Sequence, residues 1–303
     1  MDNNSIKVLT IIQARVSSTR LPGKILLPLS GKPLLLQLVN RVKQAKKYGR
    51  LVVATTTSHL DDPIEELCKI EGNNCFRGHP TDLLDRHYKA GLKYGADAVV
   101  KIPSDVPLID PEVIDRVIQV YLDNPKALDY VSNLHPQSYP DGNDVEVINM
   151  RALKKAWFES YKPFEREHTT PFIWERPDQF RLANVLWETG LDYSMSHRWT
   201  IDYPEDYAFI KTVYENLYPV NNYFSLNDIL GLLSSKPALR SINTSYCGVN
   251  WYRHHLGELR TINSDETRNE PEHVASMSGN SLLRSSGNER SQKPKILSTK
   301  ELV

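Results

Sequence analysis

Three cations stand close together near the start of the chain, directly after a hydrophobic segment. Arg15, Arg20 and Lys24 follow the run IKVLTIIQA at residues 6–14. Because like charges repel, such a cluster needs either solvent or an anion to hold it. Guanidinium groups bind phosphate oxygens in pairs, a lysine acts as a point charge, and Gly23 lets the backbone approach an anion closely. The spacing favours a loop that binds the phosphates of a nucleoside triphosphate; a solvated basic loop without a ligand is the alternative.

The elements that position this loop alternate between strand-like and helix-like segments. Apolar runs typical of buried strands occupy residues 6–14, 51–57, 96–103 and 128–134. Helical apolar spacing or helix-start residues mark the segments between and after them, at 33–48, 61–72, 81–95 and 110–124. Asp110 is the predicted N-cap of the last of these helices. The alternation predicts an α/β fold with a mostly parallel sheet, in which ligands bind at the carboxyl ends of the strands, where the cation loop lies.

The second half of the chain has a looser pattern. Residues 135–190 predict loops with short elements, 181–187 a strand, and the segments from 204 and 226 two helices. Residues 262–303 contain no aromatic residue and few large aliphatic ones, a composition typical of disorder. We therefore expect disorder in residues 1–5, one domain over 6–245, and a C-terminal extension over 246–303 that is disordered from about residue 262.

Composition excludes several classes of protein. Lys plus Arg and Asp plus Glu number 37 each, so bulk charge gives no reason to expect a nucleic-acid partner. The three cysteines are scattered and form neither a disulfide framework nor a CxxC metal site, which is typical of a reducing compartment. The N-terminus lacks a signal-peptide pattern and no apolar run is long enough to span a membrane. We expect a cytoplasmic protein that neither enters a membrane nor binds nucleic acid.

Six segments of the chain resemble the CMP-sugar cytidylyltransferases. They are QARVSSTRLPGKILLPLSGKPLL, RGHPTDLLDRHYKA, VVKIPSDVPLIDPEVID, YPDGNDVEVIN, FEREHTTPFI and RWTIDYPEDY, in this order over about residues 6–240. The chain looks most like the type that acts in spore coat polysaccharide biosynthesis, which is related to CMP-Kdo synthetase and acylneuraminate cytidylyltransferase. The resemblance implies a three-layer α/β/α, Rossmann-like nucleotidyltransferase fold of the GT-A type. It also implies Mg²⁺-dependent transfer of CMP from CTP to a sugar or sugar acid, with release of pyrophosphate, by a homodimer.

The same resemblance assigns roles to individual residues. Those expected to bind the nucleotide are Gln13, Ala14, Arg15, Gly23, Lys24, Asp82, Arg86 and Asp105. Those expected to act in catalysis are Arg15, Arg20 and Lys24, with Asp105 and Asp202 as Mg²⁺ ligands. Those expected to bind the acceptor are Asp144, Glu146, Glu167 and His168. Structural alternatives exist for several of them: an i,i+4 ion pair for Asp82 and Arg86, a helix cap for Asp202, and a surface ion pair or a buried structural hydrogen bond for each residue of the acceptor set.

Two other functions compete with cytidylyl transfer. A glycosyltransferase that uses a nucleotide sugar typically carries a D-x-D metal motif, and none stands at a predicted strand end. A non-catalytic binding module could retain the fold, but both aspartates and all three loop cations are present. The glycine patterns of a P-loop and of a dinucleotide-binding fold are absent from the sequence.

Overall fold

The computed structural model describes residues 5–272 and the backbone of residues 297–298. The predicted disorder of residues 1–5 and of the tail beyond 272 therefore falls almost entirely outside the described residues. Within the described part, no helix combines the length and the apolar character that crossing a membrane requires.

One sheet of eight strands forms the centre of the molecule, in the order β10-β9-β7-β8-β6-β1-β4-β5. Its strands are β1 (Val8–Gln13), β4 (Arg50–Thr56), β5 (Asn74–Gly78), β6 (Ala98–Pro103), β7 (Tyr130–Ser132), β8 (Glu146–Asn149), β9 (Leu182–Asn184) and β10 (Leu297–Ser298). All neighbours pair in parallel except β8, which is antiparallel to β6 and β7. A separate small hairpin joins β2 (Pro28–Leu29) and β3 (Lys32–Pro33). The predicted mostly parallel sheet is confirmed.

Helices connect the strands and cover the sheet. They are α1 (Leu34–Val42), α2 (Asp62–Ile70), α3 (Leu83–Lys93), α4 (Pro111–Asp123), α5 (Met150–Glu159), α6 (Pro163–His168), α7 (Pro171–Trp174), α8 (Pro204–Leu217) and α9 (Leu226–Ser235). The side chain of Asp110 accepts a hydrogen bond from the backbone N–H of Glu112 at 2.7 Å, so its predicted role as N-cap of α4 is confirmed.

Both faces of the sheet are buried, as the alternation of side chains along β1 shows. Val8 and Ile12 belong to one buried apolar cluster, whereas Leu9 and Ile11 belong to a second cluster on the opposite face. Burying apolar area is worth about 25 cal/mol per Å², so two covered faces hold the strands in a fixed register. The carboxyl ends of these strands consequently form a rigid edge for a site.

The structure differs from the sequence-based predictions in three places: the end of the first helix, an additional strand, and the C-terminal extension. The first helix ends at Val42, where Lys43 makes the last capping bond, rather than at residue 48. Strand β5 was not predicted, because its NCFRG segment is short and carries two polar residues. The extension continues to 272 with Ile262 and Thr267 buried, so disorder does not begin at about residue 262. This extension packs on the domain through the apolar cluster that also contains Leu9 and Ile11.

Candidate active site

A cavity of about 590 Å³ opens where the central strands end. Its walls include the cation loop after β1, the segment after β6, and side chains of β8 and of the C-terminal extension. Two halves can be distinguished by topology. We name the two halves after the roles that the sequence analysis expects of their residues. The nucleotide half contains the cation loop (residues 13–24) with Asp105 and Asp202. The acceptor half lies over β6, β7 and β8 and contains Lys101, Asp144 and their neighbours.

A single buried ammonium group joins the two candidate metal ligands. Lys24 Nζ donates to Asp105 Oδ2 at 3.0 Å and to Asp202 Oδ1 at 3.1 Å. It also donates to the backbone carbonyl of Ile201 at 2.5 Å. The guanidinium of Arg20 reaches the same Asp202 oxygen at 2.6 Å. Residues distant in sequence thus converge on one point, because parallel strands end at the same edge of the sheet.

The charges of this cluster stabilise each other's ionised forms. Burial lowers the pKa of Lys24, but the carboxylates of Asp105 and Asp202 outweigh it and raise that pKa above its usual value. Burial likewise opposes ionisation of Asp202, yet Lys24, Arg20 and Arg198 together hold the pKa of Asp202 well below its usual range. At neutral pH Lys24 is therefore protonated and Asp202 is ionised.

Hydrogen bonds to β4 and to the segment after it hold the rest of the cation loop in place, and Arg15 of this loop has no ionic partner among the described residues. Asp61 is buried and accepts a 2.7 Å hydrogen bond from the N–H of Val16, and Ala14 donates its N–H to Ala54 at 3.0 Å. Arg15 is exposed and has no carboxylate within 4.0 Å in the part of the chain that the structure describes. Gln13 lines the cavity with a buried Oε1 that has no hydrogen-bond partner there. Arg15 and Gln13 thus retain unused binding capacity.

Two expected nucleotide contacts do not line the cavity. Asp82 caps α3 by accepting from Asp85 N–H at 2.9 Å, and its other oxygen pairs with Arg166 at 2.6 Å. Gly23 has a positive φ of 70°, so it serves the turn that precedes residues 24–26. Arg86 does line the cavity, but its guanidinium donates to the carbonyl of His79 at 2.8 Å. The alternative Asp82–Arg86 ion pair is not formed.

The chemistry of the two carboxylates fits a divalent cation. Asp105 and Asp202 lie within 3.1 Å of one nitrogen, and their side chains are 28% and 19% exposed toward the cavity. Mg²⁺ characteristically binds one or two carboxylates and takes its remaining ligands from phosphates and water. Among residues 5–272 no group of three or more metal-binding side chains is present, so phosphate oxygens and water would complete any such site.

The acceptor half contains a buried ion pair and a carboxylate that has no basic partner among the described residues. Glu146 binds Lys101 with one oxygen and accepts from the Tyr130 hydroxyl at 2.7 Å with the other, so both its oxygens are occupied. Asp144 lies in the turn before β8, and no basic group described in the structure stands within 4.0 Å of it. Burial and the negative charge of Asp105 raise the pKa of Asp144 to about 6.

Aromatic rings form another wall of this half. His168 stacks on Trp251 with ring centroids 3.7 Å apart and planes 12° apart. His135 stacks on Trp174 at 4.2 Å. Burial lowers the pKa of His168 to about 3 and that of His135 to about 4, so both rings are neutral at physiological pH. Glu167, by contrast, is exposed at the cavity edge.

Sequence reasoning missed two contributors to the site. Arg198 is 2% exposed and binds Asp206 through two nitrogens at 2.9 and 3.1 Å and Asp202 at 3.3 Å, so it orients a candidate metal ligand. Residues 249–255 of the extension all line the cavity. The aromatic and basic run WYRHH, just before the tail without aromatic residues, is the signal that could have revealed this second contributor.

Comparison with known proteins identifies the class of protein that carries this site. Residues 9–227 match the family model described as Cytidylyltransferase, so the chain belongs to the cytidylyltransferase family. The match includes the cation loop, Asp105, Asp144 and Asp202, but it ends before residues 249–255.

Individual relatives agree with this family. The chain is 35% identical over 245 residues to the uncharacterized protein MJ1063 of Methanocaldococcus jannaschii, covering 79% of this chain and 96% of that protein. It is 35% identical over 213 residues to the spore coat polysaccharide biosynthesis protein SpsF of Bacillus subtilis, covering 69% and 86%. A solved cytidylyltransferase from Leptospira borgpetersenii superposes with a TM-score of 0.72 at 33% identity, covering 77% of this chain and 96% of that one. The expected nucleotidyltransferase family and fold are confirmed.

Proposed function

We propose that this chain transfers CMP from CTP to a hydroxyl group of a sugar or sugar acid and releases pyrophosphate. The observation that carries the proposal is the convergence of Lys24, Asp105 and Asp202 at one edge of the sheet, beside two arginines of the same cavity. Family membership supports the reaction class, and the printed name of SpsF supports a product used in polysaccharide biosynthesis.

The loop cations would hold the triphosphate. Arg15 carries no ion pair with the described residues, and Arg20 and Lys24 already stand against carboxylates near the cavity floor. An acceptor hydroxyl in the other half would attack the α-phosphorus in line, and the negative charge that develops would be stabilised by these fixed cations. Positioning and charge neutralisation would supply most of the rate enhancement.

Asp105 and Asp202 would hold Mg²⁺. When bound, this ion would neutralise phosphate charge and polarise phosphate oxygens. The protein's own part is to orient the carboxylates, which Arg198 does for Asp202 through a contact of 3.3 Å. The anionic triphosphate would draw Arg20 and Lys24 toward its oxygens and so release the carboxylates for the ion.

The acceptor would occupy the half of the cavity over β6, β7 and β8. Aromatic rings such as Trp251 would pack against the C–H faces of sugars, and Asp144, which has no basic group within 4.0 Å among the described residues, would accept hydrogen bonds from hydroxyl groups. Glu167 and His168 would complete the contacts at the edge of this half. Glu146, whose two oxygens are occupied, would act by positioning Lys101.

Release of pyrophosphate tests this function. CTP and Mg²⁺ are incubated with 3-deoxy-manno-octulosonate, N-acetylneuraminate, neutral sugars or sugar phosphates, and pyrophosphate is measured for the wild-type chain and for Asp105→Ala. We expect release with one acceptor class and a fall of about 10²–10³-fold in Asp105→Ala, the size typical of losing one group that stabilises transition-state charge. Asp178→Ala is the matched control, because Asp178 is exposed and lies outside the cavity. Near-normal turnover of Asp105→Ala would contradict the assignment of Asp105 as a Mg²⁺ ligand.

Assembly and location stay predictions. We propose a homodimer in the cytoplasm, with no nucleic-acid or membrane partner. Sedimentation at several protein concentrations tests the dimer, and a monomer at all of them would contradict it.

A further inference from the structure

The C-terminal extension crosses the mouth of the candidate active site. We call residues 246–255 the strap. At its start, Tyr246 stacks on Tyr203 with ring centroids 4.1 Å and planes 18° apart. Three residues later, the carbonyl of Val249 accepts a 3.0 Å hydrogen bond from Arg198. Because Tyr203 and Arg198 also contact Arg20 or Asp202, the strap is anchored directly on the nucleotide half of the cavity.

The middle of the strap reaches the acceptor half. Trp251 stacks on His168 at 3.7 Å, and the ring of Tyr252 lies 6.2 Å from that of His135. Asn250 fixes the bend between the two halves, since its side chain accepts from Tyr252 N–H at 3.0 Å. The backbone path from Val249 to His255 is therefore held at both sides of the cavity rather than lying loosely above it.

The end of the strap adds a guanidinium group, that of Arg253, which no acid among the described residues offsets. The guanidinium of Arg253 lines the cavity and donates through Nε to His254 Nε2 at 3.1 Å. Within residues 5–272 no carboxylate lies within 4.0 Å of Arg253, whereas Arg20 is paired with Asp202 at 2.6 Å. Burial and the positive charge of Arg253 lower the pKa of His254. His254 lines the same cavity as Arg20 of the cation loop.

We propose that Arg253 binds a phosphate oxygen of CTP and so supplies, from outside the matched family region, a further cation for the triphosphate. Arg15 and Arg253 line one cavity, and neither has a carboxylate within 4.0 Å among the described residues. Such a pair of cations favours a bound anion, and the triphosphate is the anion that the adjoining cation loop would hold. Arg253 lines the same cavity as Arg15 and Arg20. The strap also begins on Tyr203, whose ring lies 5.6 Å from the Arg20 guanidinium, which favours the triphosphate over an anionic group of the acceptor. This inference rests on the proposed function, since it takes CTP as the substrate.

Binding of two phosphate probes tests the inference. Isothermal titration with Mg²⁺-CTP and with Mg²⁺-tripolyphosphate is carried out on the wild-type chain, Arg253→Gln and Arg253→Lys. We expect Arg253→Gln to raise the Kd for both probes about 10-fold to 100-fold, the worth of one charge-assisted hydrogen bond. Arg253→Lys should recover part of the affinity because it retains the charge, and the difference should shrink at high salt.

Controls separate this role from a structural one. Arg260→Gln alters an exposed arginine of the same extension that lies outside the cavity, and it should bind both probes as the wild type does. The melting temperature of each variant should stay at the wild-type value, because Arg253 makes no ion pair with the described residues.

Each remaining outcome decides one claim. Unchanged Kd values for both probes in Arg253→Gln would overturn the inference, and so would a loss confined to CTP, which would indicate contact with cytidine. If the wild-type chain binds tripolyphosphate but not CTP, the proposed function is refuted instead. In that case, a higher Kd for tripolyphosphate in Arg253→Gln than in the wild type would still support an anion site at Arg253. Absence of tripolyphosphate binding to the wild type would also overturn the inference.

Discussion

Replacing Lys24 by methionine tests whether the Lys24 ammonium group stabilises the two partly buried carboxylates of the charged cluster. Methionine retains the length and apolar contacts of the stem but removes the ammonium that stands between Asp105 and Asp202. The Lys24 side chain is 10% exposed, and the carboxylates are 28% and 19% exposed, so the cluster is mostly but not wholly shielded from water. Two carboxylates would then face each other with only Arg20 and Arg198 to offset them.

The expected loss of stability in Lys24→Met follows from this partial burial. Breaking a fully buried ion pair costs about 3–5 kcal/mol, and the remaining exposure reduces the expected loss here to about 2–4 kcal/mol of unfolding free energy. For a chain of this size that corresponds to a fall in Tm of roughly 4–12 °C. Turnover should fall as well, by about 10²–10³-fold, because a cation would be lost from the triphosphate.

Addition of Mg²⁺ separates the electrostatic account from a simple packing defect. Without Lys24 the two aspartates offer an uncompensated site, so Mg²⁺ should raise the Tm of Lys24→Met more than that of the wild type. Calorimetry with and without Mg²⁺ measures both effects. Lys32→Met is the control, since Lys32 is exposed and has no ion pair with any described residue. Equal Tm values for the two variants, or equal responses to Mg²⁺ in Lys24→Met and wild type, would refute the reasoning.

Two further predictions concern buried groups. Glu146→Gln leaves the charge of Lys101 without its partner, so urea denaturation should show a loss of about 3 kcal/mol in the free energy of unfolding. The control Glu167→Gln, at the exposed edge of the cavity, should lose less than about 0.5 kcal/mol. Equal losses in the two variants would contradict a buried Lys101–Glu146 pair. Burial lowers the pKa of His87 to about 3. Between pH 6.5 and 3 the unfolded chain therefore binds a proton that the folded chain does not, and stability falls with falling pH, by about 2 kcal/mol at pH 5 from this residue. In His87→Gln the stability difference between pH 7 and pH 5 should shrink by that amount; an unchanged difference would show that the ring is not held neutral.

The nucleotide half of the site was predictable because local patterns and sheet topology act together. A strand followed by Arg15, Arg20 and Lys24 marks one strand end, and Asp105 follows another. Parallel neighbours bring such ends together whatever their distance in sequence. Lys24 and Asp202 are separated by 178 positions and still meet at 3.1 Å.

Other features depend on tertiary contacts that no local pattern encodes. The run WYRHH marks the strap as unusual, but it does not reveal where the strap lies. That place depends on the stacking of Tyr246 on Tyr203 and on the hydrogen bond from Arg198 to the carbonyl of Val249. For Asp82, in contrast, the local sequence did contain a signal for its structural role, but the family resemblance led us to expect a nucleotide contact instead. An aspartate immediately before a helix is a preferred N-cap, and the structure uses Asp82 in that way and pairs it with Arg166.

The fate of the α-phosphate of CTP shows whether the chain transfers CMP. CTP labelled at the α-phosphate is incubated with Mg²⁺, the chain and the acceptor panel, and the products are separated. The account predicts that the label moves to a CMP–sugar conjugate while unlabelled pyrophosphate appears in equal amount. Label that stays in CTP across the panel, or that appears in CDP, would contradict cytidylyl transfer.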